Sequence, residues 1–399
     1  MKSIRSLFRI GMGPSSSHTM GPRFASQEFK KRNPSAARYQ VTLYGSLAAT
    51  GKGHYTDRAI CDIIPDIEIL WEPQTFLPFH PNGMTFRCFG TDGKELDSWT
   101  VYSVGGGALS DGENILDGPD VYTMNSMTEI LDYCLKNGKV FWEYVEECEG
   151  PEIWDYLAEV WHIMKSAVEH GIDTEGPLPG PLHLRRKASS YIVKALGYTD
   201  NLRTNARLFS YALAVSEENA CGGRVVTAPT CGSCGVLPGV LYHIWQDRGF
   251  SETRILHALA TAGLFGNVVK QNGSISGAEV GCQGEIGVAC SMAAAAANQL
   301  YSGSVTQIEY AAEIGLEHHL GLTCDPICGL VQIPCIERNP MASLRALDVS
   351  FYALLGEGTH IITFDKVIDT MKRTGHDLPS LYKETAIGGL ATLVKNSGL

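Results

Sequence analysis

The chain has 399 residues, of which 44% are hydrophobic, 9% aromatic and 19% charged, enough apolar material for one large or two medium cores; wholesale disorder is excluded. Its 43 Asp plus Glu against 32 Lys plus Arg give a formal net charge of -11, which repels phosphates and anionic lipid, so no nucleic-acid partner is expected. No apolar run approaches the roughly 18 residues a membrane helix needs, and Met1 to Gly13 lacks a long apolar core ahead of a small-residue cleavage site, so a cytoplasmic protein without a membrane partner is expected.

Along the first 150 residues, β-type runs at Tyr39 to Tyr44, Ile67 to Trp71, Met84 to Phe89 and Trp99 to Val104 alternate with helical segments and Gly/Pro-rich turns. At Gly150-Pro151 the texture changes. Ile153, Trp154, Leu157, Trp161, Met164 and Val168 recur at helical spacing, with Pro151 suited to a first turn and Gly171 to a stop. After the linker Gly176 to Pro181, the pattern predicts helices over Ala188 to Leu196, Thr204 to Ala220, Glu252 to Phe265, Ala289 to Tyr301, Thr306 to His319, Ala342 to Leu355 and Lys366 to Lys372. The fold class is therefore α+β: a small mixed domain over residues 1–150, then a mostly α-helical domain over residues 151–399.

Chemistry-bearing residues gather in a few breaks of these elements. Gly13-Pro14-Ser15-Ser16-Ser17-His18-Thr19-Met20-Gly21-Pro22 offers hydroxyls, backbone N–H groups and an imidazole on a loop entering a helix, an arrangement that suits either a small anion such as a carboxylate or a Ser-rich helix cap. His54 follows Lys52 in a glycine loop, and His80 lies in the turn Phe79-His80-Pro81-Asn82-Gly83. Imidazoles in three separate loops suit one shared site that binds a substrate or moves its proton near neutral pH. The strand ending at Ser103 runs into Gly105-Gly106-Gly107. A nucleotide loop's Lys-Ser/Thr is missing there, so close backbone approach to a ligand or another domain fits better.

Of the 12 cysteines, eight crowd into the second half, and a reducing compartment turns attention from disulfides to metal ligands and reactive thiols. Cys282, Cys324 and Cys335 each sit at a Gly/Pro-rich break, where thiolates can converge on a ligand, and suggest a metal or cluster. Spacing alone does not decide. Only Cys231-Gly232-Ser233-Cys234 has the short zinc-type form, compact ferredoxin-like runs are absent, Cys290 suits a packed helix, and Cys221, Cys231, Cys234 and Cys328 stay open.

Together, GPSSSHTMGP, YGSLAATGKGHYTD, HPNGMTF, YSVGGG, RVVTAPT, SISGAEVGCQGEIGVACSMAAA, LEHHLGLTCDP and VQIPCIERN resemble the iron-sulfur L-serine dehydratases, in order and over almost the whole chain. The resemblance implies a β domain with the SSSHT loop fused to an α domain that holds a 4Fe-4S cluster on Cys282, Cys324 and Cys335. It implies elimination of water from L-serine, with release of pyruvate and ammonia. It places Ser15, Ser16, Ser17 and Thr19 on the substrate and gives His18, His54, His80 and Ser103 orienting or proton-transfer roles; Lys52, the cation beside His54, is expected to bind substrate as well. A homodimer is the expected assembly, and L-serine the expected small-molecule partner.

Three departures from the resembled pattern carry expectations of their own. The closing run Val394 to Leu399 has no cysteine to serve as a fourth iron ligand, and the stretch between Asp57 and His80 looks shorter, which removes residues tied to serine-dependent regulation. Cys231 and Cys234 replace a thiol-free loop and are expected to be small packing residues rather than ligands. Rival readings are a related lyase for L-threonine or L-cysteine, a pyridoxal phosphate enzyme using Lys187 or Lys270, and a non-enzymatic iron-sulfur redox protein.

Overall fold

The computed structural model describes residues 1–384 and 388–395, the side chains of 394 and 395 excepted. The expectation about Val394 to Leu399 concerns side chains outside the described residues. Elements follow in chain order. A short strand β1 (Ile10–Met12) leads through a turn of π-helix (Ser16–Met20) into α1 (Gly21–Arg32) and β2 (Arg38–Tyr44). Then come α2 (Gly45–Thr50), α3 (Thr56–Cys61), β3 (Glu68–Glu72), β4 (Gly83–Phe89), β5 (Glu95–Ser103) and β6 (Leu109–Ser110). Strands β2 to β6 form one sheet in the order β3-β2-β4-β5-β6, antiparallel except for the parallel pair β2 and β3. Its inner face, including Val41, Leu43, Met84, Phe86 and Val101, packs with Ala25 and Phe29 of α1 as a small separate core. All four predicted strands are present.

The helical part comprises α4 (Met127–Asn137), α5 (Phe141–Glu149), α6 (Ile153–Asp173), α7 (Ala188–Ala195) and α8 (Asp200–Ala220), followed by strand β7 (Arg224–Val226). It continues with α9 (Val236–Arg248), α10 (Glu252–Asn272), the short α11 (Gly277–Val280), α12 (Ile286–Leu300), α13 (Val305–Glu317), α14 (Cys335–Leu355), α15 (Phe364–Asp377) and α16 (Ala391–Lys395). Helix α12 is the centre. Its residues Ala293 to Ala297 are fully buried, because alanine lets neighbouring helices approach closely on every side. No single helix among the described residues is long and apolar enough to cross a membrane.

Two features correct the expected organisation. Met127, Ile130, Phe141, Tyr144 and Val145 belong to the large helical core, with the Phe141 ring edge-on to Phe265 at 5.2 Å. The change of core therefore falls between β6 and α4, not at residue 150; Pro151 marks the start of a long helix rather than the edge of a domain. The second feature is the first turn of the chain. Met1, Ile4, Leu7 and Phe8 are buried in the helical core, and β1 pairs antiparallel with β7, Ile10 opposite Val226. The N-terminal segment thus anchors in the helical part before it crosses to the sheet, which places the serine-rich turn at the junction of the two.

Candidate active site

The junction is built by the turn after β1. Gly13 N donates to Gly223 O at 3.0 Å and Asn219 Nδ2 donates to Pro14 O at 2.9 Å, so the end of α8 grips the loop before it winds up. Ser15 then caps the π-turn: its Oγ accepts from His18 N at 3.1 Å, and Met20 N donates to its carbonyl at 3.1 Å. Thr19 Oγ1 accepts from Ser15 N at 3.2 Å and donates to His54 O at 2.7 Å, tying the turn to the loop between α2 and α3.

One narrow cavity lies at this junction. Ser15, Ser16, Ser17 and His54 face it from the β side, and Thr230, Ser276, Glu285, Cys324 and Cys335 from the helical side. Gly105 and Gly106 close one wall. The sequence-predicted residues split into groups around it. Ser15, Ser16, Ser17 and His54 are brought together with two of the three cysteines. Thr19 and His18 stand behind the serines. Both His18 nitrogens are engaged, Nδ1 with Ser17 Oγ at 2.9 Å and Nε2 with Ser46 Oγ at 3.0 Å, so its geometry suits orienting Ser17 rather than shuttling a proton.

Ser103 is fully buried, and its Oγ has no hydrogen-bond partner among the described residues; a Cβ on Gly21 would collide with it. His80 lines an adjoining, wider cavity of about 400 Å³ that shares Gly105 and Ile275 with the first. Its Nδ1 accepts from Asn82 N at 3.1 Å, which fixes the proton on Nε2, a buried atom without a partner among the described residues. Lys52 does not join the site. It is exposed, its ammonium 5.7 Å from the Trp71 ring centroid, and it borders a different cavity beside Gly53 and Gly180, because the loop turns His54 inward and the adjacent side chain outward.

The imidazoles are kept neutral. Burial lowers His54 to about 4 and, with the neighbouring His54 ring 4.7 Å away, holds His18 well below the usual range. Burial also lowers His80.

Across the cavity, Cys282 lies in the 3-10 turn after α11, Cys324 in the loop after α13 and Cys335 at the start of α14. Ligand atoms of Cys282, Glu285 and Cys324 all lie within 4.8 Å of one another. Cys324 Sγ is pushed well up by its neighbour Cys282 and by burial, and Cys335 by burial and then by Cys282 and Glu285, which puts the third thiol in the same electrostatic group. Glu285 is raised by burial. Arg338 supplies positive charge beside the thiols while donating from Nη1 to Thr323 O at 2.7 Å.

Cys231 and Cys234 point into the helical core, Cys231 Sγ lying 3.8 Å from Met20 Sδ, and Cys290 is fully buried in α12. The donor set of three buried thiols, a carboxylate and a cation around one point fits a thiolate-held metal centre. Sequence reasoning missed Glu285 and Glu384. Glu285 follows Cys282 at one helical turn, a spacing that could have flagged it. Glu384 had no such signal: it reaches the cavity because Tyr382 O and Glu384 N pair with the Cys324 backbone at 2.8 Å, and burial raises its carboxyl to about 8.

Known proteins match this chain from end to end. The family model described as serine dehydratase beta chain matches residues 3–64 and 61–114, and the serine dehydratase alpha chain model matches residues 116–391, a junction that agrees with the change of core. L-serine dehydratase of Streptomyces coelicolor is 41% identical over 450 residues, covering 98% of each chain. L-serine dehydratase 1 of Escherichia coli is 41% identical over 456 residues, 99% of this chain and 100% of its own, and L-serine dehydratase of Haemophilus influenzae is 41% identical over 455 residues, 99% of each. These alignments are longer than the 399-residue chain, and the beta-chain match breaks at residues 61–64, so the relatives carry residues near α3 that are absent here. With both family parts matched in one polypeptide, the chain belongs to the serine dehydratase family.

Proposed function

We propose that the chain is an L-serine ammonia-lyase that removes water from L-serine to give 2-aminoacrylate, whose imine tautomer takes up water to release pyruvate and ammonia. The observation that carries this reading is the single cavity shared by the Ser15 to Ser17 turn and the Cys324 and Cys335 thiols, in a chain whose full-length relatives are L-serine dehydratases. The thiols of Cys282, Cys324 and Cys335 would hold a 4Fe-4S cluster. When bound, such a cluster supplies a Lewis-acidic iron, which makes hydroxide a better leaving group.

The chain's own groups do the rest. Ser15, Ser16 and Ser17 present hydroxyls and N–H groups at the start of a helical segment that continues into α1, a setting that binds the substrate carboxylate. His54, held at Nδ1 by Thr50 Oγ1 at 3.3 Å, offers a neutral imidazole to the substrate. Ser103 and His80 each hold a buried proton-bearing atom without a partner among the described residues, the state expected of groups that engage a bound substrate.

A pyridoxal enzyme finds no support at either candidate lysine. Lys187 is paired with Glu337 at 3.6 Å, and Lys270 donates to Asp117 at 2.7 Å outside the cavity of the serines and thiols. The test is purification without oxygen, followed on one sample by iron and sulfide counts, absorption spectra before and after L-serine, and a pyruvate assay. Roughly four irons per chain and rapid pyruvate release are expected. Full elimination by iron-free protein, or negligible serine turnover with an intact cluster beside faster release of 2-oxobutyrate from L-threonine or sulfide from L-cysteine, would overturn the assignment.

A further inference from the structure

Glu285 is held at both carboxylate oxygens. It stands at the N-terminal edge of α12, where its carbonyl accepts from Ala289 N at 2.9 Å. Oε1 accepts from Thr230 Oγ1 at 2.8 Å, while Oε2 lies 3.6 Å from Cys282 Sγ and 3.8 Å from Cys324 Sγ. Two glycines keep the space clear. A Cβ on Gly277 would stand 2.6 Å from Oε2, and one on Gly232 would stand 3.5 Å from Oε1. A long side chain with this many fixed contacts has already lost the freedom it would lose on binding a partner.

Those contacts change in kind when the cysteines bind metal. Thiolates carry no proton, so Cys282 and Cys324 stop donating to Oε2. Thr230 stays on Oε1, and among the described residues Oε2 has no other donor. The nearby cation Arg338, beside Cys282, is anchored by donating to Thr323 O at 2.7 Å and by Asp325 Oδ1 at 3.8 Å, and its charge also acts on Glu285. A carboxylate oxygen left between two thiolates in a buried site is costly unless a cation faces it. Three cysteines leave one iron of a 4Fe-4S cluster without a protein sulfur.

Resting on the cluster reading above, we propose that Glu285 is the oxygen partner of that fourth iron, with Thr230 as the positioning residue that aims its carboxylate. A carboxylate oxygen is a harder and more readily exchanged partner for iron than a thiolate, so it guards the open position between turnovers without sealing it.

The test uses full-length protein enriched in ⁵⁷Fe and purified without oxygen as wild type, Glu285→Gln and Thr230→Val. Iron and sulfide are counted, and Mössbauer spectra are recorded without substrate. All three proteins are expected to carry the same iron and sulfide. In the wild type about one quarter of the absorption should show mixed sulfur and oxygen ligation. That quarter should shift in Glu285→Gln and, by a smaller amount, in Thr230→Val, while the remainder stays unchanged. Superimposable spectra from the three loaded proteins would overturn the proposal. Should Glu285→Gln fail to fold or load, an unchanged subsite in loaded Thr230→Val overturns it equally. A wild type that binds no iron would instead remove the cluster reading on which the proposal rests, so the two failures are distinct.

Discussion

A Cβ placed on Gly106 would stand 2.9 Å from Ile275 Cδ1, so the glycine loop after β5 and the loop before α11 touch with no room for a side chain. Gly105 makes the neighbouring contact, its Cβ position 3.2 Å from Ser276 Cβ, and both glycines have positive φ, 101° and 58°. This contact closes one wall of the cavity between serines and thiols.

Replacing Gly106 by alanine should therefore lower kcat by tenfold or more while costing only about 1 kcal/mol of stability, because the strained backbone and the new methyl both push the loop away from Ile275. Steady-state kinetics beside a thermal melt check this. A variant with unchanged kcat would show that the wall does not position substrate.

Cys282→Ser, Cys324→Ser and Cys335→Ser should each lose most bound iron and drop turnover by at least about 100-fold if, as proposed, the three thiols hold the cluster. Cys231→Ser should keep iron content and turnover within about twofold. Its thiol faces Met20 in the core, so its cost appears in the melting temperature instead. Iron analysis and a pyruvate assay on the same preparations separate the two classes.

Acid should weaken the fold between about pH 6.5 and pH 4. Burial lowers His54 and His243 to about 4, so both are neutral when folded but take a proton at their ordinary, higher pKa once unfolded. The stability they contribute is fully present above about pH 6.5 and is lost as pH falls to about 4, on the order of 3 kcal/mol for each. Urea midpoints measured across this range should fall with pH, and His243→Leu should flatten the slope. For the same reason, no protonation of His54 should limit turnover near pH 6.5.

Lys52→Ala should leave kcat and KM for L-serine within about threefold, because the side chain is exposed and turned toward Trp71 rather than the cavity. A rise in KM of tenfold or more would return Lys52 to the substrate.

Lys270 pairs with Asp117, which also pairs with Arg9, in a largely buried ionic group that ties the first turn of the chain to α10. Lys270→Met should cost about 2–4 kcal/mol of stability, seen as a lower urea midpoint, yet leave turnover per folded molecule within a few-fold. Complete loss of turnover in folded protein would reopen a lysine-based mechanism.

Much of this protein was legible locally. β-type runs located four of the five strands of the main sheet, and helical spacing located most of α6 to α15, because each signal is carried by residues close to one another along the chain. Helix α9 was not visible. Val236 to Ile244 are buried all round, so no polar face alternates with the apolar one, and Pro238 and Gly239 in its first turn read as a break. The domain boundary was misread for a related reason: α4 and α5 look like an appendage of the sheet until their apolar faces are seen against α10 and α13.

The sequence by itself determined the ingredients: a serine-rich turn, glycine loops that permit close approach, and three cysteines at breaks between helices. Only the tertiary structure decided which of them meet. The antiparallel pairing of β1 with β7 brings Ser15 and Cys335, residues far apart along the chain, to one cavity, and the same packing turns Lys52 outward, satisfies both nitrogens of His18 and sets Glu285 among the thiols. Residue type is a local property, whereas a site is a set of distances fixed by two cores packing together, and no spacing along the chain encodes those distances.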